Sequence, residues 1–264
     1  MNTFDASQIQ AACDQAGLRW RVQAVEQIGS TSDALREAAQ AGEPAGLVLF
    51  AESQTAGRGR RENRWLAPKG KDLMFSLLLQ PSAPVSLWPR LTTLAALALC
   101  RAIEAELPLR PQIKWPNDVY LNDRKISGLL AEAVTTPAGM KLVLGIGMNV
   151  NSSQFPSPLT DSASSLLAAL PQPVLRELDR QVLACQILME MHRQFARIED
   201  DFHDAIKEVR SRSWLLGRQI RATVDGNEIF GRAVDLDAEG HLLLALADGT
   251  VTTLSSAEGV RQVW

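Results

Sequence analysis

KWPNDVYLNDRKISGLLAEAV, residues 114–134, decides how the fold is read. Residues 113–120 and 125–134 have the composition of strands, and Asn122-Asp123 between them suits a tight turn, so a pair of joined strands is predicted. Lys125 opens a strand that is otherwise fit for burial, and a lysine drawn into the edge of a core must meet an anion. Glu132 would supply that anion from within the protein. A ligand carboxylate or phosphate would supply it from outside. Side chains alternate across a strand, so Lys114 and the Asn117-Asp118 pair beyond Pro116 need not face the same way.

Outward from this segment the chain alternates between helical and strand patterns. Residues 3–17 read as a short amphipathic helix closed by Gly17, followed by a strand-like RWRVQAVEQI. Ser30, Thr31, Ser32 and Asp33 form a string of helix N-cap residues ahead of ALREAAQAG, which Gly42 ends. GLVLFAES at 46–53 and KDLMFSLLLQP at 71–81 are buried strands, LWPRLTTLAALALCRAIEAEL at 87–107 is a long core helix, and LVLGIGMNV at 142–150 is a further strand. Residues 174–212 carry a helical pattern. Beyond Trp214, short strands alternate with DGN, DAEG and ADG turns, the texture of a small all-β barrel. The expected division is therefore 1–213 and 214–264.

The chain has 264 residues, a hydrophobic share of 46% and a net charge of −3. That size holds one large domain or two unequal ones and excludes a small disulfide-stapled scaffold. Cys13, Cys100 and Cys185 lie far apart with no CxxC, which suits buried thiols in a reducing compartment. No signal peptide and no apolar run of about 18 residues is present, so a cytoplasmic protein without membrane contact is expected. The three histidines are unclustered and show no metal-ligand spacing.

Two further segments carry chemistry. GRGRRENRW, residues 57–65, places four arginines within seven residues, interleaved with glycine and closed by an aromatic. Its amides and guanidiniums can surround phosphate. It is not a dinucleotide fingerprint, which needs glycine where Glu62 stands, and no GxxxxGK[ST] loop occurs. In Gly145-Ile146-Gly147-Met148-Asn149, two glycines within a strand mark the close approach of a ligand or another backbone.

STSDALREAAQAG (30–42), AESQTAGRGRRENRW (51–65), KWPNDVYLNDRKISGLLAEA (114–133) and LGIGMNVN (144–151), in this order, resemble the catalytic domain of biotin protein ligases, and the C-terminal barrel resembles the domain found there in that family. The resemblance covers nearly the whole chain. It implies an α+β fold: a class II synthetase-like catalytic domain built on a mixed sheet, with an SH3-like barrel appended. It also implies activation of biotin by ATP and Mg²⁺ to biotinyl-5′-adenylate, then transfer to a lysine of the biotin carboxyl carrier protein of acetyl-CoA carboxylase, by a monomer or homodimer.

By the same resemblance, Ser30, Thr31, Ser32, Gln54, Arg58, Gly59, Arg60 and Lys125 bind biotin. Arg58, Arg60, Trp65, Lys114, Asn117, Asp118 and Asn149 bind ATP or the adenylate. Lys125, Arg60 and Asp118 are catalytic, and Asp118 is the magnesium ligand. Two anions must be brought together, so fixed cations matter more than a nucleophile. Ser32 stands where the family has asparagine, and Glu62 stands where many members have glycine, an exchange expected to tighten the gating of the loop. About 28 residues precede the Ser-Thr motif, so a ligase that binds no nucleic acid and represses no gene is expected. A lipoate ligase would show an Arg-Arg-x-x-Gly-Gly-Gly-x-x-x-His motif, which is absent. An RNA-binding regulator would show more basic and aromatic strips than this one cluster. A biotin sensor without catalysis would not need Lys125, Arg60 and Asp118 together.

Overall fold

The computed structural model describes residues 4–60, 63–171 and 176–263. Its larger sheet contains β1 (Arg21–Val25), β2 (Leu47–Ala51), β3 (Leu73–Leu79), β4 (Gln112–Lys114), β5 (Asp118–Leu121), β6 (Arg124–Thr136) and β7 (Gly139–Met148), in the order β1-β2-β3-β7-β6-β5-β4. Only β1 and β2 run parallel; the other neighbours are antiparallel, so the sheet is mixed. The single strand expected over 113–120 is in fact two, β4 and β5, paired as a hairpin around Trp115-Pro116-Asn117. Proline has no N–H to give to a ladder, so the strand breaks there. Asn122 and Asp123 form the turn expected of them, with φ of 49° and 61°, the left-handed values that a two-residue I′ turn requires at both central positions.

The two faces of the sheet are told apart by residue parity. From β2, Val48 and Phe50 join the large core, while Leu47 and Leu49 face the other way. From β7, Leu142, Leu144, Ile146 and Met148 enter the large core, which leaves Val143, Gly145 and Gly147 opposite. The large core is closed by α1 (Ala6–Gln15), α3 (Pro89–Glu106), α5 (Arg180–Phe195) and α6 (Phe202–Ser211). Pro89 suits the first turn of α3, and the Asp179 carboxylate caps α5 by accepting from the N–H groups of Gln181 and Val182. On the other face the one helix among the described residues is α2 (Thr31–Gln40), whose Leu35 and Ala39 pack on Leu47, Leu49, Leu78, Val134 and Val143. One short helix cannot cover the whole face. The uncovered remainder is where β6 and β7 carry glycine.

The smaller sheet is antiparallel, in the order β11-β10-β9-β8-β12, from β8 (Gln219–Val224), β9 (Asn227–Leu236), β10 (Leu242–Ala245), β11 (Val251–Leu254) and β12 (Glu258–Gln262). Its inward residues Ile220, Ala222, Leu244 and Val260 belong to the same apolar cluster as Leu94 and Ile103 of α3. A further helix, α4 (Leu166–Ala169), is a single turn capped by Ser165. Cys13, Cys100 and Cys185 are free; Cys13 and Cys100 are buried, and burial pushes the Cys13 thiol up to about 11. Among the described residues, no helix is long and apolar enough to cross a membrane.

Candidate active site

Across the uncovered face, the strand registers set Ser76, Gly145 and Leu130 in one row, and Met74, Gly147 and Gly128 in the next. Rows two residues apart lie roughly 7 Å apart along the strands. A Cβ on Gly145 would stand 2.4 Å from Ser32 Oγ, and one on Gly147 would stand 2.2 Å from the Trp65 indole. A Cβ on Gly128 would meet Lys125 Nζ at 2.9 Å and the Trp65 ring at 3.2 Å. The glycines therefore form a trough whose floor is backbone. A cavity of about 470 Å³ lies over it.

One end of the trough is uncharged. Ser30 caps α2, its Oγ accepting from the Asp33 N–H at 3.3 Å, and so presents Thr31 and Ser32 at the helix start. Gln54 Oε1 accepts from the Thr31 N–H at 2.7 Å and from its hydroxyl at 3.2 Å. Ser76 Oγ lies 2.8 Å from Thr31 Oγ1 and 3.0 Å from Ser32 Oγ.

The other end is charged. Lys125 Nζ pairs with Asp118 Oδ1 at 2.6 Å and lies 5.8 Å from the centre of the Trp65 ring. This corrects the expectation of Glu132 as its protein partner. Register explains the difference: Asp118 sits opposite Gly128 on the adjoining strand, whereas Glu132 lies seven positions further along β6 and is taken by arginines. The Lys125 backbone is itself gripped, its N–H donating to Ser162 O and its carbonyl accepting from Ser164 N–H. Lys114 donates to Tyr120 Oη at 2.9 Å and sits against the rings of Tyr120 and Trp214. Burial pushes its amine below the usual lysine range; Asp118 opposes that shift, while Lys125 and Arg261 add to it.

The glycine-arginine loop is moored at two points. Arg58 donates to Asp33 Oδ1 at 2.7 Å and to both Glu132 oxygens at 3.0 and 2.6 Å, with Arg36 joining the same cluster. Arg60 donates to Asn117 Oδ1 at 3.1 Å and to Ala257 O in the smaller sheet's region at 3.4 Å. Arg61 and Glu62, and with Glu62 the expected tightening of the gate, lie outside the described residues. The Trp65 Nε1–H is buried and has no hydrogen-bond partner among the described residues, a donor left over on the trough.

Thr31, Ser32, Gln54, Arg58, Gly59, Arg60, Trp65, Lys114, Asn117, Asp118, Lys125 and Asn149 all line the one cavity. Ser30 does not; its hydroxyl is engaged in the helix cap. The Asn149 amide donates to Ser164 O, steadying the 152–165 segment whose Phe155, Leu159 and Ala163 also line the cavity. That segment was missed from the sequence, as were Ser76 and residues 257–261 at the start of β12. A serine inside the apolar run LMFSLLL was the one legible signal among them.

The family model described as the biotin/lipoate A/B protein ligase family matches residues 24–149, and that of the biotin protein ligase C terminal domain matches residues 215–258. The bifunctional ligase/repressor BirA of Bacillus spizizenii is 34% identical over 226 residues, 84% of this chain and 68% of that protein. The biotin–[acetyl-CoA-carboxylase] ligase of Mycobacterium tuberculosis is 34% identical over 246 residues, 89% of this chain and 88% of that one. Among solved structures, the Aquifex aeolicus biotin protein ligase in complex with biotin and ATP superposes with a TM-score of 0.81 at 28% identity, covering 92% of this chain and 99% of that one. Fold and site together define an enzyme of the ligase class. The chain belongs to the biotin protein ligase family, within the wider group of biotin and lipoate protein ligases.

Proposed function

We propose that the protein joins biotin to ATP as biotinyl-5′-adenylate and transfers the acyl group to a lysine of a biotin carboxyl carrier domain of acetyl-CoA carboxylase. The observation that carries this reading is the single cavity with a hydrogen-bonding end at Thr31, Ser32 and Gln54 and a cationic end at Lys114, Lys125 and Arg60. A ligand with a polar neutral head and a carboxylate tail fits along it, its carboxylate arriving beside Lys125. In the first step a carboxylate oxygen attacks the α-phosphorus and pyrophosphate leaves. In the second the carrier amine attacks the acyl carbon, AMP leaves and the amine proton is lost. Lys125 neutralises the charge that develops as the anhydride forms, and a fixed cation counts most in a site with little water.

Lys114 and Arg60 hold the phosphates, Asn117 and Asn149 flank the nucleotide, and Trp65 offers a ring face to the adenine. Among the described residues there is no group of three or more His, Cys, Asp or Glu that could hold a metal ion. A single carboxylate still fits Mg²⁺, which keeps waters and takes its remaining oxygens from substrate phosphates, so Asp118 is the residue that would hold it. Bound there, the ion would offset phosphate charge. The chain is read as a catalytic unit at 1–213 and a barrel at 214–264, the barrel contributing Ala257 to Arg261 to the cavity rim. It is also read as binding no operator DNA, a reading supported by its net charge of −3 and by the engagement of Arg58 and Arg60 within the site.

Incubation of the protein with ATP, Mg²⁺, biotin and a biotin-acceptor domain is expected to biotinylate the acceptor lysine. Lys125→Ala is expected to lose about 100-fold or more in rate, the scale for removing a preorganised charge from a transition state. No transfer by the wild type would remove the functional reading, and full transfer by the variant would remove the role given to the lysine. Specific retardation of operator DNA by the purified chain would overturn the reading of a ligase without repressor activity.

A further inference from the structure

The uncharged end of the trough holds a hydrogen-bond chain in which every proton has a place. The Thr31 backbone N–H can only donate, so the amide oxygen of Gln54, 2.7 Å away, is the atom facing it, and Gln54 Nε2 is left as the group for a ligand. The same oxygen lies 3.2 Å from the Thr31 hydroxyl, which spends its one proton there. The contact of 2.8 Å between Thr31 and Ser76 then needs Ser76 as donor, and the contact of 3.0 Å between Ser76 and Ser32 needs Ser32 as donor. The opposite order would set the lone pairs of Thr31 Oγ1 against those of Gln54 Oε1. The chain thus runs Ser32 to Ser76 to Thr31 to Gln54, and Ser32 Oγ has only lone pairs left to offer the cavity.

We infer that Ser76 is a positioning residue for substrate selection: it fixes the proton order so that Ser32 accepts from a ligand N–H while Gln54 donates to a ligand carbonyl. An N–H beside a carbonyl is the pattern of a cyclic urea, so the assignment deepens the proposed function and rests on it. Ser76 touches no ligand. It is fully buried (0% exposed), does not line the cavity, and acts through two residues that do. The bare Gly145 beside it is what lets the Ser32 hydroxyl come down onto the sheet. The departure from the family's asparagine at 32 gains a purpose here. A hydroxyl adapts to either hydrogen-bond role, so it needs a neighbour to set its direction, whereas an amide carries separate donor and acceptor atoms.

The test is Ser76→Ala, a small truncation, beside Ser76→Thr, which keeps the hydroxyl. Biotin-dependent pyrophosphate exchange gives KM for biotin, KM for ATP and kcat separately. For Ser76→Ala the biotin KM is expected to rise about tenfold, the scale of one misdirected hydrogen bond, with the ATP KM and kcat within about twofold of the wild type. Ser76→Thr is expected to restore the biotin KM. An unchanged biotin KM in Ser76→Ala, an equal rise in the ATP KM, or a threonine variant as weak as the alanine one would overturn the assignment. Failure of the wild type to exchange pyrophosphate with biotin would instead remove the functional reading beneath it.

Discussion

Lys114 and Lys125 lie eleven positions apart and do different electrostatic work. Lys125 keeps a carboxylate within 2.6 Å, so its charge is balanced until a ligand anion competes with Asp118 for it. Lys114 sits against the rings of Tyr120 and Trp214, and burial pushes its amine below the usual lysine range. A lysine whose value is lowered stays cationic at low pH and loses its charge, as pH rises, earlier than an ordinary lysine would. If it holds phosphate, the KM for ATP should climb on the alkaline side as pH passes through that lowered value. Lys114→Arg keeps its charge throughout and should flatten that limb. A KM–pH profile that is identical in the variant would separate Lys114 from phosphate binding.

At the level of elements, the start of α2 bears the heaviest demand, because one helical turn supplies both the cap and the site. Ser30→Ala removes the acceptor for the Asp33 N–H and is expected to cost about 1 kcal/mol, lowering Tm by about 2–4 °C in a chain of this size. Because Ser30 lies outside the cavity, biotin affinity should fall only as far as α2 shifts. Calorimetry beside biotin titration separates the two, and a large loss of affinity with an unchanged Tm would make Ser30 a direct ligand contact. The cap was legible in the sequence because a run of Ser-Thr-Ser-Asp before an amphipathic stretch has few other uses. The hairpin of β4 and β5 was not, since a proline between two β-rich runs fits either an interrupted strand or a turn. Asp118 as partner of Lys125 was also hidden, because it depends on which residues the register sets side by side, and periodicity fixes faces without fixing register.

For the whole molecule, the change of texture at Trp214 suggested two separable units, yet the apolar interior runs through both. Ile220, Ala222 and Leu244 of the smaller sheet and Leu94 and Ile103 of α3 belong to one cluster, Trp115 Nε1 donates to Gly240 O, and Arg60 reaches Ala257 O. A shared core predicts a single cooperative unfolding transition rather than two. Differential scanning calorimetry showing two resolved transitions would contradict it. The sequence could not show this, because strand patterns mark which side chains face inward without saying whose interior they share. The glycine floor has a consequence for descent. A surface made of main chain has nothing left to trim, so every substitution at 128, 145 or 147 adds atoms and narrows the hollow. Room for diversification of what such a protein accepts is therefore found at its rim, where a hydroxyl can be exchanged for an amide and its neighbours adjusted, whereas a side chain added to the floor meets Ser32, Trp65 or Lys125.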